Sequence, residues 1–375
     1  MSVFNHPMLN ELDALAPLFH DVGRRVEREP EDWAPLWDHE LLRAIALMEV
    51  PDPWNPMPNC GGFFGPDPVV YGLMIAIAER MARHDANCVL ALPTPTMAGF
   101  AVQVLGNAEQ NDLYFRRYSS GKPGRSFFAI TEPTVGSDAT AGRTVLRDTA
   151  QGRRMDVEKK LVGSARQANF GLIFARDERS KSHKMVMADA DCIAGLQIER
   201  LFHHGLAGAD LSQINGRDIA VPDEMILGHG LQRGLRDGFY AMNSVFERYR
   251  PVVATLAIGA ARGLIDTMAE LDVGETILEP LRIRHLVFLD RLGRVAAAYD
   301  HGTPKVHETS SLKLDAVGFL DEVVATVFRA VPSRDIFQHP TLIKRCRDAK
   351  SYEYMEGTSN IHLLQAFRSY TAASA

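Results

Sequence analysis

The feature that most constrains this chain is a change of hydrophobic period that happens twice. From Leu9 to Leu47 apolar residues recur every three or four positions with charges between them, and the spacing returns in Val69 to Arg83 and Thr96 to Leu105. That period predicts amphipathic helices. Between them, Asp52 to Pro68 holds five prolines and three glycines, so a loop is expected there. At Arg125 the texture becomes short, aromatic and β-branched. Strands are predicted at 126–131, 144–147, 154–157, 171–175, 184–187 and 213–221, separated by polar or glycine-bearing turns. Helical spacing resumes at Gly234. Four long helices are predicted, at 234–271, 276–300, 307–331 and 339–373, with breaks at Gly274, at 301–304 and at Pro332-Ser333. The expected fold class is therefore α+β: an N-terminal α-helical domain (1–124), a central small β-domain (125–232) and a C-terminal four-helix bundle (233–375). Ala254 to Ala261 is rich in small residues, as close helix packing in a core requires.

Composition narrows the function. A chain of 375 residues buries about three quarters of its unfolded surface and needs no disulfide staples. Lys and Arg total 41 against 47 Asp and Glu, a net charge of -6, the wrong sign for a general nucleic-acid or anionic-membrane binder. An anionic ligand would need a local basic site. The four cysteines lack metal or disulfide spacing. No secretory signal pattern and no run of about 18 apolar residues is visible, so a cytoplasmic chain without membrane spans is expected.

The usual motifs of zinc proteases, α/β-hydrolases, P-loop proteins and Rossmann folds are absent. His203-His204 and His84-Asp85 do not place two ligands on one face, so solvated or capping roles are expected and no metal is predicted. Two segments stand out. In Phe127 to Asp138 a strand ends in a hydroxyl, a Glu-Pro turn and a Gly-Ser-Asp step, where Gly136 permits positive φ and close approach of a planar ring or phosphate. In Arg347 to Ile361, Glu356 sits among aromatic and apolar neighbours before Gly357 and Thr358. A helix break there would turn the carboxylate into a cavity, where desolvation raises its pKa and suits it to act as a base toward carbon. Glu353 is the competing, solvated helical glutamate.

These phrases, Thr131-Glu-Pro-Thr-Val-Gly-Ser-Asp-Ala139 and Arg347-Asp-Ala-Lys-Ser-Tyr-Glu-Tyr-Met-Glu-Gly-Thr-Ser-Asn-Ile-His-Leu363, resemble those of the acyl-CoA dehydrogenase family. The likeness runs on through Arg83-His-Asp-Ala86, Asp210 to Ile214, Val221 to Gly228 and Arg250 to Ala254. What the resemblance implies is an FAD enzyme that oxidises an acyl thioester, of CoA or of a carrier protein, to its α,β-unsaturated product. Glu356 would remove the α-proton and flavin N5 would take the β-hydride. Phe128, Ile130, Thr131, Gly136 and Ser137 would face the flavin, with Ser137 also beside the pantetheine arm. Val162, Gly163 and Ser164 would lie at the ring edge, and Thr358 and Asn360 at the ribose and phosphate side. Glu247 and Arg250 would hold the CoA portion, and Gly357 would border the thioester. The implied partners are an electron acceptor, either electron-transfer flavoprotein or oxygen, and further copies of the chain in a homodimer or homotetramer.

The chain also departs from the family pattern. Leu161 and Gly163 stand where a tryptophan and a threonine are usual, and Tyr249 occupies the alternative base position. The arginine-bearing stretch expected at 273–284 is missing, and the Gly-Gly phosphate loop is replaced by Arg329 to Asp335, where Arg329 and Arg334 are candidate phosphate ligands. These departures leave open a flavin monooxygenase of the same fold and a catalytically silent partner of a hetero-oligomer.

Overall fold

A computed structural model describes residues 3–64, 70–230 and 237–373. The predicted boundary at 232–233, the start at Gly234, and parts of the 52–68 loop lie outside the described residues. The N-terminal helices are α1 (Met8–Ala14), α2 (Ala16–Arg28), α3 (Ala34–Asp38), α4 (Glu40–Leu47), α5 (Tyr71–Ala91), α6 (Thr96–Leu105) and α7 (Ala108–Phe115). The strands follow as β1 (Ser126–Ala129), β2 (Val145–Thr149), β3 (Gly152–Val162), β4 (Phe170–Asp177), β5 (His183–Ala188), β6 (Gln197–Arg200) and β7 (Ser212–Ala220), with the short α8 (Ala190–Ala194) before β6. The bundle comprises α9 (Asp237–Glu270), α10 (Glu275–Asp300), α11 (Val306–Ala330), α12 (Ser333–Gln338), α13 (Leu342–Asp348) and α14 (Ser359–Ala373).

The strands form one mixed sheet in the order β1-β4-β2-β3-β7-β6, with β5 on the other side of β4. β1 and β2 run parallel to β4, and the remaining pairs are antiparallel. β4 is buried along almost its whole length, which is why it reads as a continuous apolar run rather than an alternating one. β6 was not anticipated: its alternating half-buried pattern is too short to stand out as a strand without its partner β7.

One predicted helix is corrected. The segment 339–373 is not a single helix but α13, a 3-10 stretch over Ala349–Tyr354, and α14 after a break at 355–358. Pro340 ends the preceding α12 region, because the residue before a proline is disfavoured in the α conformation. The second break, at Glu356 and Gly357, creates the site described below.

One apolar core joins the N-terminal helices, the sheet and the first turns of α9, and a second joins α5 with the bundle helices. α5 therefore belongs to both. It packs closely on α9, which is long and apolar enough to cross a membrane by composition but has 72% of its most apolar stretch buried within the fold. The approach is set by glycine: a Cβ on Gly263 would lie 2.1 Å from the Arg83 carbonyl oxygen, and one on Gly259 2.3 Å from that of Glu79. Gly263→Ala should thus force the helices apart and cost about 1–3 kcal/mol in a denaturant titration. An unchanged midpoint would contradict this packing.

Of the solvated or capping roles expected for His84-Asp85, Asp85 takes the capping one, its Oδ1 accepting from the Asn87 amide at 3.0 Å. Asp85 leaves helical geometry inside α5 (φ -163°, ψ 113°) and is buried, not solvated. Its carboxylate accepts from Lys344 Nζ at 2.8 Å, and Lys344 also pairs with Asp348 at 2.8 Å. Gly23 leaves room for it, since a Cβ there would meet Asp85 Oδ2 at 2.0 Å. His84 instead bonds Asp13 Oδ1 through Nε2, at 2.9 Å.

Candidate active site

Three elements meet around Glu356. The 3-10 stretch ends at Tyr354, Glu356 adopts φ +52° and Gly357 φ +104°, and α14 begins at Ser359. A left-handed glutamate is uncommon, and such backbone outliers concentrate where a side chain must be aimed. The residue keeps some exposed surface, yet Oε2 is enclosed and has no hydrogen-bond partner. Burial pushes the Glu356 carboxyl up to about 7, against the opposing pull of the Arg250 and Lys313 charges. Its contribution therefore turns against folding as pH rises from 4.5, the ordinary value, toward about 7, because the folded state holds the proton that the unfolded chain releases.

Glu353 is settled by geometry. Its carboxylate accepts from the Ser359 amide at 2.8 Å and the Ser359 hydroxyl at 2.5 Å, capping α14. Burial opposes its ionisation, but these bonds outweigh it and hold the carboxyl below its ordinary value. The bland competitor is a helix cap, which leaves Glu356 as the uncommitted acid.

From α9, the Arg250 Nε donates to the Glu356 carbonyl at 3.5 Å, and the guanidinium lies 5.8 Å from the Phe246 ring centre. Phe246 in turn meets Phe128 of β1 edge-on at 6.5 Å. The ring pair links the sheet to the bundle. Arg250 is buried while Glu247, one turn earlier, is exposed, and both line a small cleft with Tyr299, Thr309 and Ser310.

The β-unit supplies the other predicted residues. Ile130 is buried, Thr131 half-buried, and Gly136 and Ser137 exposed. Gly136 does not take a positive φ, contrary to expectation, and a Cβ there would meet nothing within 4 Å, so the loop is open at that point. Glu132 turns inward, accepting from Lys159 Nζ at 2.9 Å and from the Thr144 amide at 2.9 Å. This buried anchor holds the Thr131 to Gly136 loop in place and removes Glu132 from consideration as a site acid. Val162 is buried, Gly163 half-buried, and Ser164 left-handed at φ +58° with its hydroxyl accepting from Arg125 at 2.8 Å. Leu161 sits on a bulge of β3, 52% exposed at φ +59°. Thr358 is half-buried before α14 and Asn360 exposed in its first turn.

The structure thus brings Glu356, Gly357, Arg250 and, through Phe246, Phe128 into one neighbourhood. Among the described residues no hydrogen bond or ring contact joins Thr131, Ser137, the 162–164 turn or Asn360 to Glu356. Arg329 and Arg334 are exposed and bond within their own helices, to Thr326 and Gln338. Tyr249 is buried, its hydroxyl donating to Glu49 at 3.3 Å, so it is no base. Sequence reasoning missed two residues here, Lys313 and His362, both fully buried beside Gly357. Lys313 had a visible signal: it falls on the buried stripe Thr309, Leu312, Lys313, Ala316, Val317 and Leu320 of α11, where a charge is out of place.

No protein-family model matches the chain. Among curated relatives it is 24% identical to the CarC subunit of the caffeyl-CoA reductase–Etf complex of Acetobacterium woodii, over 81% of this chain and 83% of the relative. It is 27% identical to acryloyl-CoA reductase (NADH) of Anaerotignum propionicum, over 77% and 76%. Its fold matches glutaryl-CoA dehydrogenase of Mycobacterium smegmatis in complex with FADH2 with a TM-score of 0.80 at 15% identity, covering 99% of this chain and 96% of the other. Butyryl-CoA dehydrogenase of Megasphaera elsdenii gives 0.80 at 16% identity, covering 98% of each. Helices, mixed sheet and bundle in this order are the fold of the acyl-CoA dehydrogenases. The sequence relationship and the shared fold together support the acyl-CoA dehydrogenase family for this chain.

Proposed function

We propose that this protein is an FAD-dependent oxidoreductase acting on an acyl thioester, with Glu356 removing the α-proton. The observation that carries the reading is the enclosed, partnerless Oε2 of a carboxyl whose proton affinity is raised toward neutrality. A base matched to the working pH exchanges protons with a weak carbon acid efficiently. FAD fits the chain's own surface: the strand-end loop at Thr131 is pinned from behind by Glu132 and open in front at Gly136 and Ser137. Phe128, Ile130, Thr131 and the Val162 to Ser164 turn would hold its ring, and Thr358 and Asn360 its ribose and phosphate side. When bound, it supplies the acceptor for the β-hydride.

Arg250 and Glu247 would take the pantetheine arm, the buried guanidinium giving an acidic protein a local cation. Gly357 would border the thioester carbonyl, and Ser137 the arm beyond it. CoA and a carrier protein present the same thioester to these groups. Relatives named as reductases accord with the same site, since a group that removes the α-proton in one direction returns it in the other. Electron-transfer flavoprotein is the proposed acceptor, with oxygen the alternative. Exposed apolar residues on α10 (Ile283, Leu286, Val287) and α14 (Leu363, Leu364, Phe367) accord with a homodimer or homotetramer. A cytoplasmic location suits four free cysteines.

Anaerobic titration of the purified yellow protein with CoA and carrier-protein thioesters tests this. Bleaching by a thioester is expected. Stoichiometric flavin without bleaching would defeat the reading, oxygen-dependent product formation with a reductase would favour a monooxygenase, and co-purification of a homologous chain with no flavin would favour a silent partner. Catalysis should also rise from about pH 6 to about pH 8 and then level, because only ionised Glu356 accepts the proton. A profile flat across that range would place the base elsewhere.

A further inference from the structure

Lys313 lies on α11 with no exposed surface. Its ammonium donates to the Glu353 carbonyl at 3.1 Å and the Gly357 carbonyl at 2.8 Å, and forms no ion pair among the described residues. A buried cation held by carbonyls, with its nearest carboxyls, Glu353 and Glu356, beyond direct contact, is costly, so this one needs a reason beyond packing. The two carbonyls it holds bracket the segment 354–356, and between them sits the left-handed Glu356. The charges acting on the Glu356 carboxyl are Arg250 from α9 and Lys313 from α11; His362 from α14 lies beside Gly357, and Glu353 is occupied by Ser359. His362 is fully buried with both ring nitrogens unpartnered, and burial lowers it to about 4, so it is neutral and adds no charge.

We propose that Lys313 is a positioning residue for Glu356: its ammonium clamps the carbonyls at both ends of the turn that presents the carboxyl and sets a buried positive charge beside it. This deepens the reading of Glu356 as the base, but the clamp is defined by geometry that does not depend on it. Lysine, with a compact ammonium on a flexible stem, can reach two carbonyls across a helix gap without the fixed fork of arginine.

The test follows the carboxyl of Glu356 by infrared difference spectroscopy between the full-length protein and Glu356→Gln, titrated with acid and base, which needs no turnover. In Lys313→Met the Glu356 band should titrate at a pH higher by about one unit, a tenfold gain in proton affinity. A folded Lys313→Met protein whose Glu356 titrates as in the unmodified chain overturns the proposal and leaves Lys313 a packing residue. If Lys313→Met does not fold, the reciprocal measurement decides. Burial holds the Lys313 ammonium down at about 8, and its labelled ε-carbon signal should titrate lower still in Glu356→Gln. No shift there overturns it equally. Should no thioester bleach the flavin while these titrations move as expected, the functional reading fails and the clamp stands.

Discussion

Glu356→Gln should reduce anaerobic thioester oxidation on the order of 10³-fold while leaving the protein yellow. The amide has nearly the same shape, so the left-handed turn, the Lys313 bonds to Glu353 and Gly357, and the Arg250 contact to the Glu356 carbonyl all survive. What is lost is the ability to accept a proton. Glu353→Gln supplies the contrast: it weakens the cap of α14, costs about 1 kcal/mol of stability, and leaves bleaching within about tenfold of the unmodified rate. Rapid-mixing flavin reduction separates the two. Unimpaired bleaching by Glu356→Gln, or complete loss in Glu353→Gln alone, would reverse the assignment.

The largest stability effect is expected elsewhere. Lys344→Met should destabilise the protein by roughly 3–5 kcal/mol, because it strands two buried carboxylates that now share one ammonium. The network is well satisfied. Asp348 also accepts from the Leu206 amide at 2.7 Å and Asn87 Nδ2 at 2.9 Å, and Asn87 accepts from the Gly208 amide at 2.9 Å. The cluster thereby ties α5, the turn leading into β7 and α13 together. Burial pushes Asp85 up, but the Lys344 charge and bond prevail and hold it below 3.8. The stabilisation from Asp85 is therefore present at neutral pH and lost as pH falls through that lowered value. Lys344 is raised above 10.5 by the two carboxylates against its burial, so its share is lost only in strong alkali. Denaturant titration of Lys344→Met, beside a Lys344→Met/Asp85→Asn pair that removes one stranded charge and recovers part of the loss, measures the effect. A change under about 1 kcal/mol would mean that the cluster is solvated in solution.

Much of the architecture was legible because secondary structure is written in short-range periods. The strands predicted at 171–175 and 184–187 became β4 and β5 with ends moved by at most two residues, and the bundle helices before Pro332 kept their limits almost as expected. Sequence also exposed Glu356 as a candidate, since Gly357 beside it marks a helix break. By residue type alone it left Glu353 in competition, and the family resemblance chose Glu356; the structure makes the choice on physical grounds. That choice came from Ser359, whose amide and hydroxyl occupy one carboxylate and leave the other bare. Gly136 shows the reverse: a glycine in a suggestive phrase whose backbone needs no glycine and whose surroundings leave room for a side chain.

By itself, then, the order of residues determined the helix, sheet and bundle succession and the two phrases that carry the family likeness, because hydrogen-bond ladders and turns depend on neighbours in the chain. Tertiary structure alone decided which acid is enclosed, that Lys313 reaches across from α11 to hold it, and that Asp85 finds Lys344 259 positions away. Proton affinity and buried charge depend on what surrounds a group in space, and those surroundings are assembled from segments that no local pattern connects.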